Sequence, residues 1–315
     1  MRLAGARGGC YTGRMLALSD NTRGAILMAG SMTAFTINDA CMKALSSSVP
    51  LFEAVFLRGS GVTVMLLFLA WASGGLRHRP SARDGWLILL RTCAEIAAAG
   101  FFLTALFNMP IANVTAILQA IPLTVSLAGA LFLGEALGWR RLTAITVGFA
   151  GVLLIVRPGG EGFTGHSLLA LASVLCVTVR DLAARRMSRG LPSLSVALAA
   201  AVGVTIAAGI GSLFQGWVPL PPVAALQLAG ATGFVLAGYV FSVSAMRIGE
   251  LGVVAQFRYV SLLVALILGL AVFGDWPSGL TLAGAAVIVG TGLFTLSRER
   301  KLRRVHPSPV PLRLR

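Results

Sequence analysis

Acid is scarce in this chain, with 11 Asp and Glu against 26 Lys and Arg in 315 residues. Only 12% of residues are charged, and the mean hydropathy of +0.86 lies outside the range of soluble globular domains. Lysine is rarer still: Lys43 and Lys301 stand alone beside the arginines, a bias expected of a GC-rich bacterial genome. Histidine amounts to three residues, His78, His166 and His306, all read as loop or tail positions. The usual general base is therefore missing from the apolar stretches. No GxSxG, GxGD or GxxxxGK[ST] pattern occurs, which argues against an intramembrane hydrolase and against direct ATP coupling. The four cysteines, Cys10, Cys41, Cys93 and Cys176, form no CxxC pair, so neither a metal site nor a disulfide framework is indicated. An apolar core is also lacking before Gly24, so a cleaved secretion signal is not expected.

What the chain has instead is hydrocarbon, in 57% of its residues. Runs of about 20 apolar residues, the length that crosses a bilayer as a helix, recur throughout. Alternating patterns for a barrel do not occur, so the fold class is an all-α polytopic membrane protein. Punctuation by Gly, Pro and Arg places ten spans near 24–45, 51–73, 86–107, 111–133, 139–156, 166–187, 193–214, 223–246, 252–273 and 278–296. Residues 1–23 and 297–315 are basic tails, and 157–165 is a linker between two halves, 24–156 and 166–296.

The net charge of +15 would suggest nucleic acid if it formed a patch on a soluble domain. It does not, and no nucleic-acid partner is expected. The basic residues collect in the tails and the even-numbered connections, including Arg77, Arg79, Arg83, Arg140, Arg141, Arg185, Arg186 and Arg189. Arg157 is alone in the odd-numbered ones. Positive charge stays on the cytoplasmic side, which predicts cytoplasmic termini. All five tryptophans, Trp71, Trp86, Trp139, Trp217 and Trp276, fall at span ends as interfacial anchors.

Sliding the chain by 142 residues sets "SMTAFTINDACMKAL" on "SVLCVTVRDLAARRM", pairing Ser31 with Ser173, Thr36 with Thr178, Asp39 with Asp181 and Lys43 with Arg185. Near the end of each half, "LFLGEALGW" and "AVFGDWPSG" align at 140, pairing Glu135 with Asp275. Two nearly equal offsets indicate a duplicated five-helix unit. Five is odd, so the second copy enters the membrane from the opposite side. Inverted repeats of this kind build alternating-access transporters.

Several stretches resemble the drug/metabolite transporter superfamily in its EamA-type ten-helix branch. They are "FTINDACMKAL", "VPLFEAVFLRG", "FFLTALFNMPIANVTAILQAIPLTVSLAGALFLGE", "GVLLIVRPG" and "FRYVSLLVALILGLAVFGDWPSGLTLAGAAVIVGTGL", spread over roughly 24–300. The resemblance implies an inner-membrane carrier of small metabolites, often an exporter of amino acids, aromatic ones included. It also implies a central cavity bounded by helices 1, 3, 4, 6, 8 and 9. One departure concerns Pro122, which faces Leu262 and not a second proline.

Charges inside a span cost on the order of 3 kcal/mol each on insertion scales, so each should face protein or water. Asp39 and Lys43, four apart beside Asn38, can pair on one face of the first span. Arg91 and Glu95 repeat that spacing in the third, and Glu95 is the leading carboxylate for an ammonium group or a proton. Gln256, Arg258 and Tyr259 offer the second half a cation and donors for a carboxylate. Gln119 and Tyr239 are polar groups expected to face other helices or the cavity, and Asn113 reads as interhelical glue. Pro122 breaks a backbone hydrogen bond and marks a hinge, with Arg91 as a gating partner. Glu53 with Arg58, and Arg180 with Asp181, read as structural or gating pairs nearer the span ends.

The resulting expectation is a secondary transporter exporting small metabolites, amino acids first, across the bacterial inner membrane. It needs no cofactor or metal, can be proton-coupled, and touches lipid and a small-molecule substrate. Without a GxxxG inside a span, a monomer or weak oligomer is expected. Riboflavin, S-adenosylmethionine or carboxylate carriage are the alternatives, followed by a channel or a lipid flippase.

Overall fold

The computed structural model describes residues 19–72, 74, 80–134, 138–157, 164–188, 190–249 and 251–305. Arg77, Arg79, Glu135 and Arg189, used above for orientation and repeat matching, lie outside them, as do residues 1–18 and 306–315 of the tails. Every described element is helical: α1 (Asp20–Leu45), α2 (Leu51–Ala72), α3 (Ala82–Asn108), α4 (Ile111–Leu118), α5 (Ile121–Leu133), α6 (Trp139–Val156), α7 (Gly165–Arg186), α8 (Ser193–Gln215), α9 (Pro222–Ile248), α10 (Leu251–Val254), a 3₁₀ turn (Ala255–Tyr259), α11 (Val260–Phe273) and α12 (Gly279–Val305). Counting α4 with α5, and α10 with the 3₁₀ turn and α11, gives ten membrane helices. Eight segments have the length and hydropathy of a span, and the apolar part of α12, Gly279–Thr295, is shorter. The α1 helix is less apolar because it carries Asp20, Arg23, Asp39 and Lys43.

Local chemistry sets the ends. Ser19 caps α1 by accepting the Thr22 N–H at 3.2 Å, so this helix begins a turn before the expected 24. Ser81 caps α3 by accepting the Asp84 N–H at 3.2 Å. Asp84 in turn accepts the Ser188 N–H at 3.1 Å, tying the start of α3 to the end of α7. On the other face of the bundle, Glu53 is 1% exposed and accepts the Val218 N–H at 3.1 Å. That is a structural role, since a buried carboxylate must be hydrogen-bonded. His166, read above as a loop position, sits in the first turn of α7. Four of the tryptophans, Trp71, Trp86, Trp139 and Trp276, are at least 65% exposed at helix ends, as side chains meant for a membrane interface would be.

The duplication visible in the sequence is visible again in the packing. Ser31 of α1 donates to the Gly238 carbonyl of α9, and its match Ser173 of α7 donates to the Ala98 carbonyl of α3. A Cβ on Gly61 would come 2.8 Å from the Thr232 methyl, and its match Gly203 is pressed in the same way against the Thr92 methyl. Gly134 and Gly274, 140 residues apart, end α5 and α11 with φ of 68° and 66°, a left-handed conformation that glycine adopts without steric cost. Residues on the axis relating the halves should meet their own counterparts. Thr63 and Thr205, 142 positions apart, do so at 3.1 Å, and Gln119 of the first half meets Ser261 of the second at 2.9 Å.

Breaks occur in both fourth helices. Pro122 lies in the first turn of α5, and the regular α-helical pattern is interrupted by a turn at Gln119 and Ala120 between α4 and α5. The span expected as continuous over 252–273 is also interrupted, by the 3₁₀ turn, although no proline is present there. An interruption at this point of the repeat therefore does not require proline. The two broken segments cross at the axis, where the Gln119 amide donates to Ser261 and the Ser261 hydroxyl donates to the Arg258 carbonyl at 2.9 Å.

Candidate functional site

Two charged clusters sit at matched positions near opposite faces of the bundle. In α1, about 9 Å from its C-terminal end at 1.5 Å per residue, Asn38 donates to Asp39 at 2.9 Å and accepts from Arg58 of α2 at 3.2 Å. Asn38 is 3% exposed, and this relay satisfies both ends of its amide. In α7, which runs the opposite way, Arg180 occupies the position matching Asn38 and donates to Asp181 at 2.9 Å. Arg180 also reaches Glu95 of α3 at 3.2 and 3.4 Å. Arg91 approaches the same carboxylate at 3.9 Å, one helical turn away. The same dyad has thus been built twice, once with a neutral amide and once with a cation.

Tyr239 of α9 joins the clusters. Its side chain is 42% exposed, packs edge-on against Phe35 of α1 at 5.4 Å, and lies within electrostatic reach of Glu95, Arg180, Arg58 and Arg91. A cavity of about 120 Å³ opens here, lined by Arg58, Arg91, Glu95 and Tyr239 together with small residues of α8 such as Ala197 and Ala201. Further along, Arg258 is exposed and lies within electrostatic reach of Asp181 and Arg180. Arg258, Arg180, Glu95, Tyr239, Arg58 and Asp39 form a ladder from one side of the bundle toward the other.

The sequence reading placed Asn38, Asp39, Glu95, Arg91 and Tyr239 among the candidates, and the fold brings them together. It gave Arg58, Arg180 and Asp181 to the span ends, whereas Arg58 lines the cavity and Arg180 holds Glu95. The signal for Arg180 was present in the repeat alignment, where it faces Asn38. Lys43 corrects another expectation. Rather than pairing with Asp39, its ammonium donates to the carbonyls of Leu106 and Met109 at 3.2 and 2.8 Å, with Phe273 beneath it at 5.5 Å. Orphan carbonyls at the α3 C-terminus attract a cation, and Asp39 is already supplied by Asn38.

Gln256 leaves the group, reaching Ser297 at 3.4 Å on an exposed surface. Tyr259 is 7% exposed, and its hydroxyl is buried against Gly292 of α12 without a hydrogen-bond partner among the described residues. Gln119 serves the axis, and Pro122 the break beside it. The Asn113 side-chain oxygen is likewise buried without a hydrogen-bond partner among the described residues. Among the described residues no group of three or more His, Cys, Asp or Glu could hold a metal ion.

A profile of the EamA-like transporter family matches residues 22–157 and 165–297. The S-adenosylmethionine uptake transporter of Rickettsia conorii is 24% identical over 88% of this chain and 94% of its own length. The pseudopaline exporter of Pseudomonas aeruginosa is 26% identical over 88% and 97%. The riboflavin transporter of Rhizobium johnstonii is 26% identical over 81% and 79%. One solved crystal structure superposes with a TM-score of 0.62 at 19% identity, covering 89% of this chain and 98% of its own, a likeness of fold. With both halves matched in full, this ten-helix protein belongs to the EamA-like transporter family, whose members here carry small metabolites across membranes.

Proposed function

We propose that the chain is a secondary transporter that exports zwitterionic metabolites, amino acids first and aromatic ones among them, across a bacterial inner membrane by alternating access. The observation that carries this reading is the cavity in which Arg58, Arg91 and Glu95 face one another beside the Tyr239 hydroxyl. A carboxylate is matched by the planar fork of an arginine, and an ammonium by Glu95. Lining a pocket with both charges costs desolvation energy that apolar residues would avoid, so the arrangement favours a ligand carrying both. Arg180 holds Glu95 when no ammonium is present, and a substrate that takes Glu95 loosens α7 from α3. Glu95 also serves as the proton acceptor if transport is proton-coupled, with Pro122 and the α4–α5 break as the hinge. The positive connections support cytoplasmic termini.

Uptake is the second reading, favoured by the relatives named as S-adenosylmethionine uptake transporters. Reconstitution of the full chain into liposomes distinguishes these. A carrier saturates and exchanges labelled substrate against a preloaded pool. Flux without such exchange indicates a channel, and redistribution of labelled phospholipid alone indicates a flippase. A panel of amino acids, S-adenosylmethionine and riboflavin should show exchange for the amino acids. Absence of exchange for every zwitterion in the panel removes the proposal.

A further inference from the structure

The last helices of the two halves, α6 and α12, press together at one end and part at the other. A Cβ on Gly148 would come 3.0 Å from the Thr291 hydroxyl, and one on Gly151 would come 2.8 Å from the Gly284 carbonyl oxygen. As α6 advances its contacts on α12 recede, so the two run antiparallel. Toward the side of the chain termini they splay, and a Cβ on Gly290 would meet no atom within 4 Å. The groove left there measures about 230 Å³ and lies between Arg140, Thr143 and Val147 of α6 and Gly290, Thr291 and Phe294 of α12. It faces outward from the bundle, where Arg140, Val147 and Phe294 are exposed, and shares no lining residue with the charged cavity.

Polar chemistry is confined to one end of this groove. The Thr143 hydroxyl donates to the Arg140 carbonyl at 2.9 Å, and the Thr291 hydroxyl donates to the Val287 carbonyl at 2.9 Å, so both protons are used inside their own helices. Neighbouring Arg141 is committed to Ser126 at 2.8 Å. The Arg140 guanidinium lies over the Trp139 ring at 5.2 Å, and among the described residues no carboxylate pairs with it. At either repeat offset, 140 or 142, the residue matching Arg140 is a leucine, Leu280 or Leu282. The cation therefore marks one leaflet only.

We propose that this groove binds one anionic phospholipid of the leaflet on the side of the termini, with its phosphate on Arg140 and an acyl chain along Val147, Gly290 and Phe294. An arginine fork matches two phosphate oxygens. Basic sites between membrane helices at a negatively charged leaflet hold such headgroups. The seven residues from Arg140 to Val147 rise about 10.5 Å, which carries the groove from the interfacial level of Trp139 about a third of the way into about 30 Å of hydrocarbon. A soluble metabolite would find one polar contact and lose its water to apolar walls. An acyl chain gives up nothing there. Charge complementarity extends past the groove, since the sequence of α12 continues through Arg298, Arg300, Lys301, Arg303 and Arg304 against Glu299 alone.

Native mass spectrometry of the full chain tests the site, after equilibration in detergent with equal amounts of phosphatidylglycerol and phosphatidylcholine carrying the same acyl chains. The wild type should retain one phosphatidylglycerol in preference to phosphatidylcholine. Arg140→Gln should lower that preference about fivefold, the factor corresponding to about 1 kcal/mol per basic side chain at an anionic surface. Arg140→Lys, which keeps the charge, should retain most of it and so separates loss of the site from loss of the fold. Gly290→Leu puts carbon into open space and leaves the charge alone, and should reduce retention of both lipids. Arg23→Gln removes a charge on the same side at the start of α1, and should change neither. Equal losses in Arg140→Gln and Arg23→Gln would mean diffuse attraction to the surface and overturn the site, as would a Gly290→Leu protein that retains lipid like the wild type. A two-chain mass that disappears in Gly290→Leu would give the groove to a second copy and overturn it too.

Discussion

Thr63 and Thr205 touch hydroxyl to hydroxyl at 3.1 Å although 142 residues separate them. Because 142 is also the spacing at which the two halves align, each threonine is meeting its own counterpart. A residue can do that only on the axis that exchanges the halves. Cysteines at both positions, whose sulfurs would stand where these hydroxyls meet, should therefore form a disulfide on oxidation. Mass spectrometry of the cleaved protein should recover the peptide linking α2 to α8. Its absence under oxidising conditions would count against the axis.

Glu95 answers to both Arg180 and Arg91. Glu95→Gln keeps the shape and removes the charge, leaving Arg180 with Asp181 alone. Hydrogen bonds to charged groups contribute about 1.5–3 kcal/mol, and partial exposure at this site places the loss toward the lower end. Thermal unfolding in detergent should drop modestly, while substrate exchange should fall at least tenfold. Unchanged exchange would eliminate Glu95 as the ammonium site.

The dyads can be traded. Arg180 ties α7 to α3 on the side of the termini, and Asn38 in the matching place makes no ion pair. Combining Asn38→Arg with Arg180→Asn should loosen the closure on the terminal side and strengthen the opposite one. Labelling of a cysteine introduced at Ala201, in a background lacking the native cysteines, should then shift toward impermeant reagent added on the terminal side. If labelling from the two sides keeps its original ratio, the dyads are not gates.

Close packing gives a stability test independent of transport. Gly203→Ala drives a methyl into Thr92, and Gly61→Ala does the same to Thr232. Overpacking typically costs about 1–3 kcal/mol. Each variant should melt lower, and Thr92→Ser or Thr232→Ser, which removes the offending methyl, should restore its partner. Failure of both rescues would mean that the helices do not meet as described.

Lys43 binds two backbone carbonyls and no carboxylate in hydrogen bonds. Lys43→Met strips the Leu106 and Met109 carbonyls of their donor, at about 1–3 kcal/mol for an unsatisfied buried group. The melting temperature should fall, whereas Asp39→Asn should leave the Lys43 contacts intact. Equal thermal effects of the two substitutions would restore the Asp39–Lys43 pair first expected from their spacing.

Helix number, the order of spans and the inverted duplication could be read directly from the chain. Insertion into a bilayer is decided segment by segment, from the apolar length of each stretch, and a repeat offset is a property of the letters alone. Glu95 was legible for the same reason: a carboxylate in the middle of an apolar run has to be accommodated somewhere. Partner choice was not. Arg180 and Glu95 lie 85 positions apart, and whether Asp39 takes Lys43 or Asn38 depends on what else competes for the ammonium, here the carbonyl ends of another helix. Nor did any letter announce the break in the second fourth helix, because an interruption can be specified by packing across the axis as well as by proline. Local pattern determined what crosses the membrane; only tertiary structure decided which charges meet, since pairing energy depends on distances between helices that the linear chain does not contain.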